Sequence, residues 1–426
     1  MNLHQLLACT LALLSAAPAL AQKSAEKTAL NAAKTVEALF AADPWTTVGR
    51  AERTKGFAEL ATAPPLEARD VDKWKAACAK LWAKGTKLEK KSGQHFLWEK
   101  PAERGLYIVG GEQKRPTGLL IAMHGGGAGS GDAGSAQGAY QSVANDLGWL
   151  MICPEVLEKT EHGWTDSGSE EFVLQLVDAA RRTWKIDANH VFFSGHSMGG
   201  YGTWTLGAHH ADRVAALAAS AGAPSPITGP SGKYEDVEIG VIPSLRNVPM
   251  VIYQSDDDPN VPPAANDIAT RLLGEAKKRW GGFEFEYWQV PGRQHELAPG
   301  GMEALLAKIA KRVRDPRPLK IVWQPALAWK QQFYWLWWTK PVQGALVEAE
   351  IERAKNEIRV TCDRDAKGLE VLLDERLVDM SKDVTILLNG KEVFRGRPPW
   401  SLVTLVKTSQ SGDDELCYGA SVPLAQ

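Results

Sequence analysis

The stretch Gly195-His196-Ser197-Met198-Gly199 sets a serine between two glycines, with the apolar run "VFFS" before it and "GYGTW" after it. The first run reads as a strand and the second as the start of a helix. At a sharp strand-to-helix turn the serine hydroxyl stands exposed at the sheet edge, because the flanking glycines carry no Cβ to obstruct the bend. The Met198 amide then sits at a helix N-terminus, where an unpaired N–H can donate to an oxyanion. Ser197 is therefore a candidate nucleophile for acyl transfer. The competing reading is an ordinary serine in a glycine turn.

A serine hydroxyl needs a base, and the base needs a carboxylate to fix its tautomer. Nine histidines are present, but only His295 lies beyond Leu245, in "QVPGRQHEL" just after an apolar run. The run "PMVIYQSDDDPNVPP" offers Asp256, Asp257 and Asp258 as the acid, and the residues alone do not separate them. Surplus aspartates are expected to be solvated turn residues or helix caps. A second oxyanion donor is expected in "LLIAMHGGG", Leu119 to Gly127, from the amide of Gly126 or Gly127. His124 in that run is expected to hold the loop by a hydrogen bond.

From about Gly105 to Arg314 the chain resembles α/β-hydrolases of the esterase, polyhydroxybutyrate-depolymerase-like and dienelactone-hydrolase-like group. "GHSMGGYGTW" is a form of that group's elbow, and "DPNVP" matches its D-x-x-V-P acid pattern. The resemblance implies a Ser197–Asp258–His295 triad and a serine esterase working through an acyl-enzyme, with no cofactor. It departs from the pattern at Gln294, where the group commonly has glycine before the histidine.

Pocket walls are expected from loops at the C-terminal edge of the sheet. Trp164 and Asp166 in "EKTEHGWTDSGSEEF" are candidate substrate contacts, with Tyr201 just past the elbow. The plain alternative packs Trp164 under the loop and uses Asp166 or Ser167 as a helix cap. Gly222 to Pro249 is a Pro/Gly-rich insertion where a lid would sit. "FYWLWW", Phe333 to Trp338, suggests a sugar platform, but strand alternation makes both of its faces apolar, which favours a buried strand. His209-His210 is no metal pair, since adjacent helical residues diverge by about 100°; no metal site is expected.

These residues need a scaffold. Candidate strands ("GLLIAMH", "GWLMICP", "HVFFSG", "PMVIYQS") alternate with helical stretches, which predicts a mostly parallel sheet with helices on both faces. The expected division is a signal peptide at 1–21, a helical N-terminal extension at 22–104 packed on the main domain, an α/β-hydrolase catalytic domain at 105–316, and a small antiparallel β domain at 317–426. The signal rests on the apolar run Leu6–Leu14 and the small-x-small site Ala19-Leu20-Ala21, and implies an exported, periplasmic or secreted protein. A lipoprotein site at Cys9 is disfavoured because so little apolar segment precedes it. No later segment is long and apolar enough to span a membrane.

A formal charge of −2 on 426 residues points to neither nucleic acid nor an anionic membrane surface as partner. An ester, small or polymeric, is the expected partner. Signal removal leaves Cys78, Cys153, Cys362 and Cys417, with a bridge between the last two possible in an oxidising compartment. Two other functions compete. A serine peptidase would use the same triad, but no propeller-like repeats precede the catalytic region. A non-catalytic binding protein on this fold finds its support only in the tryptophan-rich tail.

Overall fold

The computed structural model describes residues 19–425. The apolar run Leu6–Leu14 and Cys9 lie outside the described residues. Helix α1 (Ala19–Ala41) is followed by α2 (Thr47–Leu60), capped by the Thr46 side chain on the Gly49 amide, and α3 (Ala68–Trp82). Asp70 lies in the first turn of α3 and pairs with Lys73 at 3.0 Å.

An eight-stranded sheet follows. Its strands are β1 (Gly93–Trp98), β2 (Arg104–Gly111), β3 (Gly118–Met123), β4 (Trp149–Pro154), β5 (Val191–His196) and β6 (Ala216–Ser220), with β9 (Met250–Ser255) and β10 (Phe285–Val290) beyond the hairpin of β7 (Pro226–Thr228) and β8 (Tyr234–Val237). The spatial order is β1-β2-β4-β3-β5-β6-β9-β10. β2 runs antiparallel to both β1 and β4, and every pair from β4 to β10 is parallel. The order and crossovers are those of an α/β-hydrolase sheet. β3, β4, β6 and β9 are buried at every residue, as continuous apolar strands covered on both faces must be. Helices α4 (Ala133–Asp146), α5 (Ser169–Trp184), α6 (Met198–His209), α7 (Pro263–Trp280) and α8 (Gly301–Ala307) cover them.

The sheet starts earlier than the expected boundary at residue 105. β1 falls in the stretch read as helical, and its "GQHFLW" pairs antiparallel with β2 as an edge strand, only partly buried. Edge strands lack the continuous apolar run that marks central ones.

The remainder is β-rich, in two sheets. One holds β11 (Lys320–Trp323), β14 (Val347–Glu352), β15 (Glu357–Cys362), β17 (Val384–Leu388) and β18 (Lys391–Gly396); the other holds β12 (Gln332–Phe333), β13 (Leu336–Trp338), β16 (Leu369–Leu373) and β19 (Ala420–Pro423). All pairs are antiparallel except β15 with β17. "FYWLWW" is a reversal and not a single strand: Tyr334 turns the chain at φ 51° between β12 and β13. Phe333, Tyr334, Trp335 and Trp338 are fully buried, with the Trp335 indole donating to the Pro318 carbonyl and the Tyr334 hydroxyl to Ala211 of the main domain. A sugar platform is thereby ruled out for these residues.

The N-terminal helices pack chiefly on the tail and not on the catalytic sheet. Val36, Leu39, Leu60, Val71 and Cys78 form one apolar cluster with Leu402, Leu405 and Val406 of α9 (Leu402–Thr408). A backbone bridge joins Leu66 to Trp400. The bridge that the sequence allowed between Cys362 and Cys417 is not formed; Cys78, Cys153, Cys362 and Cys417 are all buried free thiols. Among the described residues no helix is long and apolar enough to cross a membrane.

Candidate active site

β5 ends at His196 and α6 begins at Met198, so Ser197 alone makes the turn. It does so at φ 58°, ψ −124°, a region that costs a non-glycine residue about 1–3 kcal/mol and persists only when its surroundings dictate it. They do: the Ser197 N–H donates to the Ser220 carbonyl at 2.9 Å, and its own carbonyl takes the amides of Gly200 and Tyr201 at 2.8 and 3.1 Å. A Cβ on Gly195 would come within 2.3 Å of the Gly199 carbonyl oxygen, so the elbow closes only with glycine there.

His295 joins the two ends of a polar chain. Its Nε2 is 2.8 Å from Ser197 Oγ and its Nδ1 is 2.8 Å from Asp258 Oδ2. The Asp258 side chain is fully buried, and its Oδ1 accepts the amides of Asn260 and Val261 at 2.8 and 2.9 Å. The carboxylate receives one donor from the imidazole and two from its own turn, the arrangement that keeps a proton on His295 Nδ1 and leaves Nε2 free to take one.

The two neighbouring aspartates are solvated turn residues, as expected, and they also bind the loop that carries His295. Asp257 Oδ1 accepts the Gln294 amide at 2.8 Å and the Ser255 hydroxyl at 2.6 Å, contacts that hold its carboxyl below the usual range, the serine bond contributing most. Asp256 Oδ1 accepts the Gly292 amide at 3.2 Å, and Ser255 Oγ accepts that of Arg293 at 2.9 Å. The loop after β9 thus binds the loop after β10 residue by residue. Gln294 has φ 48°, the left-handed conformation that a glycine would adopt freely. The departure from the usual glycine changes the residue and keeps the turn.

His196, which the sequence reading passed over, lies against His295. Its ring is 4.9 Å from that of His295, and its Nδ1 is 2.9 Å from Ser220 Oγ. Burial, reinforced by His295, pushes this imidazole down to about 4, so it is neutral near neutral pH. An unusual polar residue between a buried strand and a nucleophile was the available signal.

Ser197 and His295 open into a cavity of about 440 Å³, whose walls include Met123, Gly125, Gly126, His196, Tyr140 and Leu297. Met198 is the first residue of α6, so its amide has no intrahelical acceptor. Gly126 lines the cavity and Gly127 does not. Of the loop glycines, Gly125 approaches Ser197 most closely: a Cβ there would lie 3.1 Å from that of Ser197. His124 braces this loop. Its Nε2 accepts the Val156 amide at 3.2 Å, so Nδ1 carries the proton and donates to the Gly125 carbonyl at 2.8 Å.

The three expected substrate contacts lie away from the cavity walls. Trp164 is fully buried beneath the glycine loop, its indole donating to the His124 carbonyl at 3.1 Å. Asp166 accepts from the Thr160 hydroxyl at 2.5 Å within its own turn. Tyr201 is half-buried on α6, its phenol pushed up by burial and by Tyr234 and Asp258. His209 and His210 share one buried carboxylate, Glu170, at 2.9 and 2.8 Å.

No protein-family profile and no curated protein sequence matches the chain. Among solved structures it is similar to a thermostable esterase, with 16% identity over 53% of this chain and 63% of that one, at a TM-score of 0.39. It is also similar to a ferulic acid esterase from the anaerobic fungus Anaeromyces mucronatus, with 16% identity, 52% and 89% coverage and a TM-score of 0.37. A third is a poly(3-hydroxybutyrate) depolymerase from Bordetella parapertussis, with 19% identity, 48% and 85% coverage and a TM-score of 0.34.

Proposed function

We propose that the chain is an exported serine hydrolase that cleaves carboxylic esters through an acyl-enzyme intermediate. The observation that carries this reading is the single imidazole bridging Ser197 Oγ and a buried carboxylate at 2.8 Å on each side. Ser197 attacks the acyl carbon as His295 Nε2 takes its proton. Asp258 stabilises the imidazolium that forms. The amides of Met198 and of the Gly125–Gly126 loop serve the developing oxyanion, with Gly126, which lines the cavity, preferred over Gly127, which does not. Loss of one such donor costs about 10²–10³ in turnover. His295 then returns the proton to the leaving alcohol. Water, activated by the same imidazole, releases the acid.

Fluorophosphonate labelling of the purified protein with intact-mass detection tests this. A single adduct that Ser197→Ala abolishes is expected. A folded protein that takes no adduct would overturn the assignment. Faster turnover of an acyl ester than of the matching anilide is the expected mark of an esterase over a peptidase. N-terminal sequencing of exported material, with Gln22 first, is the corresponding test of the signal.

A further inference from the structure

Ten of the tryptophans fall into two sorts. Trp164, Trp204, Trp323, Trp335 and Trp338 are buried to 2% exposure or less. Trp45, Trp82, Trp98, Trp329 and Trp337 keep exposed surface, and all five line one cavity of about 480 Å³. These five come from four distant stretches of chain. Trp45 lies in the turn between α1 and α2, Trp82 ends α3, Trp98 ends β1, and Trp329 and Trp337 belong to the C-terminal unit. The wall is completed by one face of α5, including Leu174, Gln175 and Asp178. The twelve residues of α6, about 18 Å of helix, separate this end of the molecule from Ser197. The volume falls within the range of small-ligand sites, about 300–1,000 Å³.

The chemistry of the wall narrows the ligand. An apolar occupant would cover acceptors that no donor among the described residues fills: Asp43 Oδ2, Asp178 Oδ2 and the side-chain oxygens of Gln175 and Gln331. A phosphate or carboxylate would meet the wrong end of the local dipoles, because α1, α3 and α9 all finish beside the cavity. The cations present are already engaged. Arg53 donates to the Leu39 carbonyl at 3.0 Å, Arg182 to that of Trp82 at 3.0 Å, and Lys330 to Asp212 at 2.7 Å. What remains is acceptor-rich and flat-faced: carbonyl, amide and carboxylate oxygens set among indoles. Trp45 and Trp329 meet edge to face at 5.5 Å, which presents two ring planes at right angles. A neutral sugar answers both features, with hydroxyls that donate to oxygens and C–H faces that lie on indoles.

We propose that this cavity binds a neutral oligosaccharide, independently of the acyl-transfer site. Titration calorimetry and tryptophan emission on the full chain, with cellohexaose, xylohexaose and mannohexaose as probes, test it. At least one hexaose is expected to bind and quench. Trp329→Ala and Trp45→Ala are each expected to weaken it about tenfold or more, leaving turnover of 4-nitrophenyl acetate at the parent's rate. Trp329→Tyr, which keeps a ring against His210, is expected to retain most of the affinity and serves if an alanine variant does not fold. The proposal is overturned if none of the hexaoses binds, if binding survives both alanine substitutions, or if AMP or laurate binds more tightly than every hexaose.

Discussion

Replacing Asp258 by asparagine exchanges one carboxylate oxygen for an NH2 group and should remove almost all turnover, for a reason the hydrogen bonds of its turn make definite. Oδ1 of Asp258 accepts two backbone amides, Asn260 and Val261, and Oδ2 faces His295 Nδ1. An asparagine can meet this site in two orientations. With its amide nitrogen toward the turn, two backbone N–H groups lose their acceptor, at about 1–3 kcal/mol each. With its oxygen toward the turn, both bonds survive and the nitrogen points at the imidazole. The second orientation wins by roughly 2–6 kcal/mol on those two bonds. Its N–H then donates to His295 Nδ1, which must give up its proton. The proton moves to Nε2, the atom 2.8 Å from Ser197 Oγ. An Nε2–H is a donor and cannot accept the serine proton.

The expected loss is about 10⁴ in kcat, or about 5.4 kcal/mol of transition-state stabilisation, with KM little changed. The fold should survive, because the bonds to the turn are kept. Steady-state hydrolysis of 4-nitrophenyl acetate, with a thermal melt of the same sample, measures both. A kcat within about tenfold of the parent in a folded Asp258→Asn protein would refute the tautomer argument. A larger loss in a parallel Asp257→Asn control would move the acid to the neighbouring residue.

Asp257→Ala removes the acceptor of the Gln294 amide and should displace the base without changing its chemistry, lowering kcat by about 10–10²-fold and slowing fluorophosphonate labelling; parent-like kinetics would show that the loop holds without it. Burial pushes the imidazoles of His196 and His210 down to about 4, against about 6.5 in an unfolded chain. The unfolded state therefore binds protons first as pH falls, so their contribution to stability is whole above about pH 6.5 and is lost between there and about pH 4. His209 has the opposite sense, since Glu170 outweighs burial and raises it, and its contribution stays whole throughout that window. Tm should fall from pH 6.5 to 4, and less steeply in His196→Asn. Cys78, Cys153, Cys362 and Cys417 should resist a thiol reagent in the native protein and react once it is unfolded; loss of two thiols from the unfolded count would reveal a disulfide instead.

What the sequence made legible follows burial and backbone geometry. β3, β4, β6 and β9 are apolar throughout because both faces are covered, so each stands out as a run. The elbow is legible because glycine at 195 and 199 is a steric requirement that few alternatives meet. β1 was not legible, since an edge strand with mixed burial carries little pattern. Nor was the reversal at Tyr334, where a non-glycine residue holds a left-handed turn with nothing in the sequence to mark it. The docking of α1–α3 on α9 escaped for another reason. An amphipathic helix declares that it has a partner and does not say which one.

The three adjacent aspartates show why the acid could be placed only by resemblance. All three carboxylates accept a bond from the base loop, to Gly292, Gln294 and His295 in turn, so each fits the description of a group that positions the histidine. Burial separates them. Asp258 is closed off from water and can support an imidazolium at short range, while Asp256 and Asp257 are exposed and hold backbone. Exposure also limits the mutual repulsion of three neighbouring charges, because two of them remain solvated. The same ladder accounts for Gln294. A left-handed residue with a side chain costs about 1–2 kcal/mol, and the amide at that position is the one tied to Asp257. The glycine usual before the histidine is thus dispensable here because the preceding loop supplies the bond that keeps the turn. The aspartate run and "GRQH" therefore work as one unit, and a change in either is expected to appear first in the position of His295.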